Sequence, residues 1–176
     1  PELATACRDR NLYVVEQFLE DVRPETLPEK RKLFTSFELF EHLYNPEQFC
    51  KHLFDLMAPG DHFVFTTLSG TGIDIQVLWS KSKSVSPPHH LNFLNPDSIQ
   101  ILLQRVGFDD IDVKTPGQLD LDILKNSIDH VEDRFWRTFL RAVNDDNKKQ
   151  WQDMIANTGW SSHMMVRCKK PEALQT

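Results

Sequence analysis

The sequence predicts an α/β domain built on a doubly wound, mostly parallel sheet. Three observations favour this fold class. Runs of β-branched and aromatic residues alternate with amphipathic helical patterns along the chain. Two of the helical patterns begin with the same signature, at Asn45-Pro46 and at Asn95-Pro96. The length of 176 residues is that of one domain, so we expect a single domain over 1–176.

The first part of the chain is expected to contain a short helix, two strands and a crossover. A small amphipathic helix opens the chain. Residues 12–18 are rich in β-branched and aromatic side chains and predict a first strand. The polar residues 20–32 include two prolines and predict a crossover or loop. Leu33–Phe37 then predicts the second strand.

A helix, a strand and a long loop are expected next. Asn45 is a favourable N-cap with a proline at the first helical position, and Pro59-Gly60 ends the apolar stripe that follows. Residues 62–67 predict a strand. Residues 68–88 are rich in Gly, Ser and Lys and predict a loop of the length that is often a functional lid.

The last part of the chain predicts four helices and two strands. The second Asn-Pro helix runs from Asn95 to Gly107, which has the position of a C-terminal cap, and a strand over 108–115 follows. Further helical patterns lie around 119–131, 133–143 and 146–158, and the chain closes with a strand over 162–168.

Composition excludes several classes of partner. The formal net charge is -6 and the positive charges are scattered, so we expect no nucleic-acid partner. No window approaches the ~20 apolar residues of a membrane span, so we expect no membrane partner. The three cysteines form no C-x-x-C pair, which speaks against a disulfide framework or a zinc ribbon and favours a cytoplasmic protein.

The segment Ser36 to His42 is the likeliest ligand site on chemical grounds. Its polar groups follow directly after the strand Leu33–Phe37. In open parallel sheets, ligands bind beyond the carboxyl ends of the strands. A glycine-rich turn after an earlier strand, which would form the other half of a nucleotide-type site, does not occur in the sequence.

Five sequence segments follow one another in a fixed order. They are Thr35-Ser36-Phe37-Glu38-Leu39-Phe40-Glu41-His42-Leu43, Leu56-Met57-Ala58-Pro59-Gly60-Asp61, Thr66-Thr67, Pro87-Pro88-His89-His90-Leu91-Asn92-Phe93 and Leu102-Leu103-Gln104-Arg105-Val106-Gly107-Phe108. Together they resemble a class I S-adenosylmethionine-dependent methyltransferase. The resemblance covers about residues 1–120, and residues 121–170 are similar to the closing helices and final antiparallel strand of such enzymes. It implies a Rossmann-like sheet, incomplete at its N-terminal side, and S-adenosyl-L-methionine as cofactor.

The resemblance also implies positions for the cofactor. Ser36, Phe37 and Glu38 match the segment beside the methionine part, at the end of the family's fourth strand. Leu19 and Glu20 match the adenine position, after the strand expected at 12–18. The glycine-rich turn of the family lies upstream of these segments, so we expect this chain alone to bind the cofactor weakly.

Two histidines are the candidate catalytic bases. A neutral imidazole at His42 or His90 could take a proton from an acceptor hydroxyl or amine as it attacks the methyl group. The alternative is structural, with His42 bonded to the crossover and His90 bracing the loop. His89 and Asn92 are candidate contacts to the acceptor, and we expect the loop and the His89-His90 pair to lie over the same end of the sheet as Ser36 to His42.

Metal and aromatic motifs have more ordinary interpretations. The run Glu38 to His42 has one histidine where zinc hydrolase helices need two, and the adjacent rings of His89 and His90 would usually diverge, so we expect no metal site. The aromatic residues of 135–140 and Trp151 could line a groove, but their helical spacing favours a core.

Two classes of function remain open. The first is methyl transfer to a small-molecule acceptor. The second is a non-catalytic methyltransferase-like fragment that acts as a binding or assembly module. In the family sheet another strand lies beside the one that Leu33–Phe37 matches, so we expect either residues 12–18 or a second copy, in a homodimer, to cover this edge.

Overall fold

The computed structural model describes residues 2–173 and contains a four-stranded mixed sheet. Its strands are β1 (Leu33–Phe37), β2 (His62–Leu68), β3 (Asp109–Lys114) and β4 (His163–Lys169), in the order β1-β2-β4-β3. β1 and β2 are parallel, and β4 runs antiparallel to both of its neighbours. Three strands therefore point one way and the last points back, which confirms the predicted sheet. Residues 1 and 174–176 of the expected domain lie outside the described residues.

Seven helices accompany the sheet in the described part of the chain. They are α1 (Glu2–Asp9), α2 (Pro46–Leu56), α3 (Ile73–Leu78), α4 (Pro96–Val106), α5 (Asp120–Asn126), α6 (Arg134–Ala142) and α7 (Asp145–Asn157). The two Asn-Pro predictions are confirmed. At the start of α2, the Asn45 side chain accepts a hydrogen bond from the N–H of Gln48. At the start of α4, Asn95 and Ser98 form a reciprocal capping box. Gly107 ends α4 with a left-handed φ of 113°.

The main core lies on one face of the sheet, beneath α2 and α4. Side chains alternate along each strand, so Phe63 and Phe65 of β2 point to the same face as Val166 of β4, and all three are buried. Ile99 and Leu103 of α4 are fully buried against this layer.

A second apolar cluster joins α3 to the last three helices and contains Leu78, Leu121, Leu124, Val131, Leu140 and Ile155. Trp136, Phe139 and Trp151 pack against it, so these aromatic residues belong largely to a core, as their spacing predicts.

The opposite face of the sheet carries exposed apolar side chains. Leu33 and Phe37 of β1 are 63% and 66% exposed, and Met165 of β4 is 40% exposed on the same face. β1 pairs only with β2 among the described residues, so its other edge has no strand beside it.

The prediction of a strand at residues 12–18 is wrong. These residues have no regular secondary structure, and all but Val14 are exposed. A strand needs a neighbour to accept its hydrogen bonds, and this segment does not add to the free edge of β1. Together with α1 it encloses a shallow apolar groove lined in part by Leu3, Cys7 and Phe18.

The prediction of a loop over residues 68–88 is also partly wrong, because this segment contains α3. This helix has only six residues and begins after Gly72, and its buried Ile75 and Leu78 hold it against the rest of the domain. No helix in the described part of the chain is both long and apolar enough to cross a membrane.

Candidate functional site

The carboxyl ends of β1 and β2 meet the amino end of β4 at one edge of the sheet. The register pairs Phe37 with Thr66 and Leu68 with His163. Polar side chains from four parts of the chain collect here, and we call this group the polar edge. Its members are Glu38, Glu41, His42, Thr66, Thr67, His90 and His163.

A buried phenylalanine fixes the segment that follows β1. The ring of Phe40 stacks on that of Phe65, with the ring centroids 4.1 Å apart, and only 1% of its surface is exposed. Glu38 adopts a left-handed φ of 50° and donates its N–H to the Thr66 carbonyl. The chain thus turns sharply at Glu38 and returns to the core at Phe40, which places Glu41 inside the protein and His42 at its surface.

Glu41 and Thr67 form a buried polar pair at the centre of the polar edge. The Thr67 hydroxyl donates to Oε2 of Glu41 at 2.8 Å, and the two side chains come from the segment after β1 and from β2. Glu41 lies within the predicted ligand segment Ser36 to His42, but only the fold shows that its carboxylate is buried.

His42 and His90 contact each other although they are far apart in the sequence. Their ring centroids are 4.8 Å apart in an edge-to-face arrangement. The expectation that the His89-His90 pair lies over the same end of the sheet as Ser36 to His42 is confirmed. The backbone reinforces this contact, because the N–H groups of Leu91 and Asn92 both donate to the Glu41 carbonyl.

The hydrogen bonds of the two rings define their tautomers. Nδ1 of His42 lies 2.8 Å from the His89 carbonyl, and Nδ1 of His90 lies 2.7 Å from the Ser84 carbonyl. A carbonyl oxygen can only accept, so each Nδ1 carries the proton. In the neutral state both Nε2 atoms therefore have a free lone pair, which can accept a proton or bind a metal ion.

Asn92 and Asp74 hold the chain around the two histidines. The Asn92 amide nitrogen donates to the carbonyls of Phe40 and Leu43, so a contact from Asn92 to an acceptor would have to use its carbonyl oxygen. Asp74 of α3 is 1% exposed, and its Oδ2 accepts the hydroxyl of Ser82 at 2.9 Å and that of Ser84 at 3.5 Å. It thereby anchors the loop whose Ser84 carbonyl orients His90. No local motif in the sequence marks Asp74.

The predicted cofactor residues are divided between the polar edge and a separate segment. Phe37 is exposed at the end of β1, and Ser36 is half-buried on the core face beside Phe65. Leu19 and Glu20 lie in a short 3₁₀ turn that contacts α2, and no hydrogen bond among the described residues joins them to the polar edge.

Glu38 acquires partners that the sequence did not suggest. The Thr66 hydroxyl donates to Oε1 of Glu38 at 2.6 Å, and Nδ1 of His163 lies 3.5 Å from the same oxygen. His163 comes from the last strand, and no local motif marks it. Its position follows only from the antiparallel register that pairs it with Leu68.

One group of side chains has the composition of a metal site. Glu41, His42 and His90 each offer one ligand atom, and these atoms lie within 4.8 Å of one another. The sequence motifs, taken one at a time, offered at most one histidine beside a carboxylate. The fold supplies the second histidine by bringing His90 to His42.

Comparison with known proteins agrees with this architecture. A family model described as a methyltransferase domain matches residues 2–113. The fold is similar to that of an S-adenosylmethionine-dependent methyltransferase from Thermotoga maritima, with 13% identity, a TM-score of 0.58, and coverage of 96% of this chain and 69% of that one. A second such enzyme, from Archaeoglobus fulgidus, has 14% identity and a TM-score of 0.55, with coverage of 97% and 73%.

The chain spans only part of the length of another similar structure. It covers 33% of the length of phosphoethanolamine N-methyltransferase 2 from Haemonchus contortus, to which 80% of this chain aligns with 18% identity and a TM-score of 0.49. A search of curated protein sequences finds no match.

Proposed function

Because the chain belongs to the S-adenosylmethionine-dependent methyltransferase family, we propose that the protein transfers a methyl group from S-adenosyl-L-methionine to a small-molecule acceptor. The contact between His42 and His90 at the polar edge is the observation that supports this most directly. In its neutral form each ring presents a free Nε2 lone pair at the carboxyl end of the parallel strands, which is where open α/β sheets bind their ligands.

We assign the methionine part of the cofactor to the last two residues of β1 and to Glu38, which follows them. The donor brings an activated methyl group on a positively charged sulfonium, so the protein has to align the reactants, exclude water and remove a proton. Glu38 offers a carboxylate, exposed and held in place by Thr66, beside which a positive charge is favourable. Phe37 offers an exposed ring, and Ser36 precedes it. We assign the adenine side to Leu19 and Glu20.

His42 and His90 take the proton of the acceptor. We assign His90 as the general base, with Nε2 accepting the proton of a hydroxyl or amine as the acceptor atom bonds to the methyl carbon. The bond from the methyl carbon to sulfur breaks in the same step, and S-adenosylhomocysteine leaves. The Ser84 carbonyl holds the Nδ1–H, which keeps the ring in the required tautomer. His42 lies edge-on to this ring and serves as the second proton acceptor. His89 and Asn92 lie beside the molecule that receives the methyl group.

The proposal also covers the extent of the domain, the cellular location, the classes of partner and the affinity for the cofactor. Residues 1–176 form one methyltransferase-like unit that contributes the second half of the family sheet. The protein acts in the cytoplasm on small molecules and has no nucleic-acid or membrane partner. The chain alone binds the cofactor weakly, because it contains no glycine-rich turn after a strand.

Calorimetric titration with S-adenosylmethionine and S-adenosylhomocysteine tests the proposal. We expect weak binding by the 176-residue chain and tight binding by a longer form of the protein that includes a glycine-rich strand-turn-helix. The longer form is then assayed for methyl transfer to a panel of small hydroxyl and amine compounds. Absence of cofactor binding by the longer form would contradict the proposal, and tight binding by the short chain would contradict our placement of the cofactor.

A non-catalytic assembly module is the second candidate function. The free edge of β1 and the exposed Leu33 and Phe37 favour it, because an unpaired apolar edge is a template for another strand. In this case a second copy covers the edge in a twofold dimer. Light scattering measures the mass, and hydrogen exchange measures protection of the amides of β1. A monomer whose β1 amides exchange freely would contradict the dimer.

A further inference from the structure

Glu41 is a buried carboxylate without a cationic partner among the residues that the structure describes. Glu41 is 3% exposed, and its side chain accepts one hydrogen bond, from Thr67. Within residues 2–173 no lysine, arginine or histidine forms an ion pair with it. Buried carboxylates in proteins are normally paired with a positive charge or coordinate a metal ion, because an isolated buried charge is energetically unfavourable. Glu41 thus lacks the positive partner that its burial calls for.

The two nearest candidate ligands are already oriented as metal-binding histidines are. In such sites the second ring N–H commonly donates to a backbone carbonyl or a carboxylate, which fixes the tautomer and raises the basicity of the free nitrogen. His42 and His90 both have this arrangement, with the carbonyls of His89 and Ser84 as acceptors. The Glu41 carboxylate has the corresponding support from the Thr67 hydroxyl.

We infer that Glu41, His42 and His90 bind a divalent transition-metal ion such as zinc. Two imidazoles and one carboxylate are a ligand set used by zinc, with a fourth position left for water or a ligand. His42 is exposed and His90 half-buried, so this fourth position can face solvent.

The spacing of the ligand atoms is close to what zinc requires. The three atoms lie within 4.8 Å of one another, so an ion at their centre is at most ~2.8 Å from each, against ~2.0–2.2 Å for zinc bonds to nitrogen and oxygen. A movement of each side chain by less than ~1 Å closes the difference, which is within the reach of a surface ring and a flexible carboxylate.

Metal binding and proton transfer exclude each other at these rings. An ion bound through the Nε2 atoms would occupy the same lone pairs that accept the acceptor proton, so bound zinc inhibits methyl transfer. This consequence alone rests on the proposed function, and the binding itself does not.

Titration of the metal-free 176-residue chain with Co²⁺, and then with Zn²⁺ in competition, tests the site without any methylation assay. We expect one equivalent of Co²⁺ to produce the visible absorption of four-coordinate cobalt and Zn²⁺ to displace it. Glu41→Gln, His42→Ala and His90→Ala should each weaken binding by ~100-fold or more, since each removes a ligand. His130→Ala, an exposed histidine on the turn after α5, is the matched control and should bind as the wild type does.

Three results would overturn the inference. The first is the absence of a cobalt spectrum in a wild-type chain whose circular dichroism shows that it is folded. The second is binding that survives in the three ligand variants, and the third is loss of binding in His130→Ala. None of these results bears on cofactor binding, which is measured separately with S-adenosylmethionine, so failure of the metal site and failure of the proposed function are distinguishable.

Discussion

Asp61 binds both the main chain and the side chain of Lys32. Its Oδ1 accepts the Lys32 N–H at 2.8 Å, and its Oδ2 lies 3.1 Å from the Lys32 ammonium and 2.8 Å from the N–H of Ala58. Asp61 is fully buried, directly before β2, and Lys32 directly precedes β1. This one carboxylate therefore fastens the beginnings of the two parallel strands, at the edge of the sheet opposite the polar edge.

Replacement of Asp61 should destabilise the fold measurably. Asp61→Asn substitutes an amide N–H₂ for one carboxylate oxygen, which leaves a buried N–H without an acceptor. We expect a loss of about 1–3 kcal/mol in the free energy of unfolding, measured by urea denaturation. Asp55→Asn makes the same charge change at an exposed position of α2 and should have little effect. Equal losses in the two variants would show that the Lys32 contacts contribute nothing.

The same contacts should make stability depend on pH. Burial raises the pKa of Asp61. The hydrogen bonds from the N–H groups of Lys32 and Ala58 and the charge of the Lys32 ammonium lower it by a larger amount, so the pKa of Asp61 is below its ordinary value. A depressed carboxyl pKa stabilises the folded state above the unfolded pKa of about 3.9, and this stabilisation is lost as the pH falls through the folded value. The stability difference between wild type and Asp61→Asn should thus be full at neutral pH and shrink below about pH 4. A constant difference throughout an acid series of unfolding curves would contradict this assignment.

The three cysteines should differ sharply in reactivity. Cys50 and Cys168 are fully buried in the main core, and burial raises the pKa of the Cys50 thiol to about 12, with the Glu47 carboxylate adding to the effect. Burial raises the pKa of Cys168 as well. Cys7 of α1 is partly exposed. Because the thiolate is the reactive form, we expect a disulfide reagent to modify Cys7 rapidly. Cys50 and Cys168 should react only after the protein unfolds. Cys7→Ser should abolish the rapid phase, and three equal rates would refute the burial of the other two.

Gly72 should tolerate no side chain. A Cβ atom there would lie 2.3 Å from the Cα of Ser162, because the start of α3 packs directly on the backbone that leads into β4. We expect Gly72→Ala to lose roughly 1–3 kcal/mol or more in stability, through displacement of one of these two backbones. Gly159→Ala is the control for backbone strain alone, since its φ is +85° but nothing lies within 4 Å of the added atom, and it should lose about 1–2 kcal/mol. A larger loss at Gly159 than at Gly72 would be inconsistent with the close packing.

His90 should matter for activity far more than for stability. In an active form of the protein we expect His90→Ala to lower the methylation rate by ~10²-fold or more, the usual contribution of a general base. The unfolding midpoint should change little, because His90 is half-buried and outside both apolar clusters. His130→Ala provides the comparison. Unaltered rates in His90→Ala would remove His90 from the mechanism.

The elements that the sequence predicts well are those with local causes. α2 and α4 begin at asparagine caps followed by proline, and Gly107 ends α4, so the necessary chemistry lies within a few residues. The strand at 12–18 was mispredicted because its composition is strand-like but no partner strand lies beside it. α3 was missed because six residues are stable as a helix only through the burial of Ile75 and Leu78.

The polar edge could be predicted only in part for a related reason. The stretch from Ser36 to His42 was identified because it follows a strand. The partners of its side chains lie far away in sequence, at Thr66 and His163 for Glu38 and at His90 for His42. These contacts depend on strand register and on the packing of α3, which local patterns do not encode.

The position of β4 determines when the sheet can be completed during synthesis. β4 is last in the sequence, but it lies between β2 and β3 and forms hydrogen bonds with both. Before residues 163–169 leave the ribosome, β2 and β3 have no strand between them, and their inner edges are open to chaperones and to other nascent chains. His163, the Glu38 partner, arrives with the same strand. The sheet and the polar edge are therefore completed together, and only after β4 has been translated.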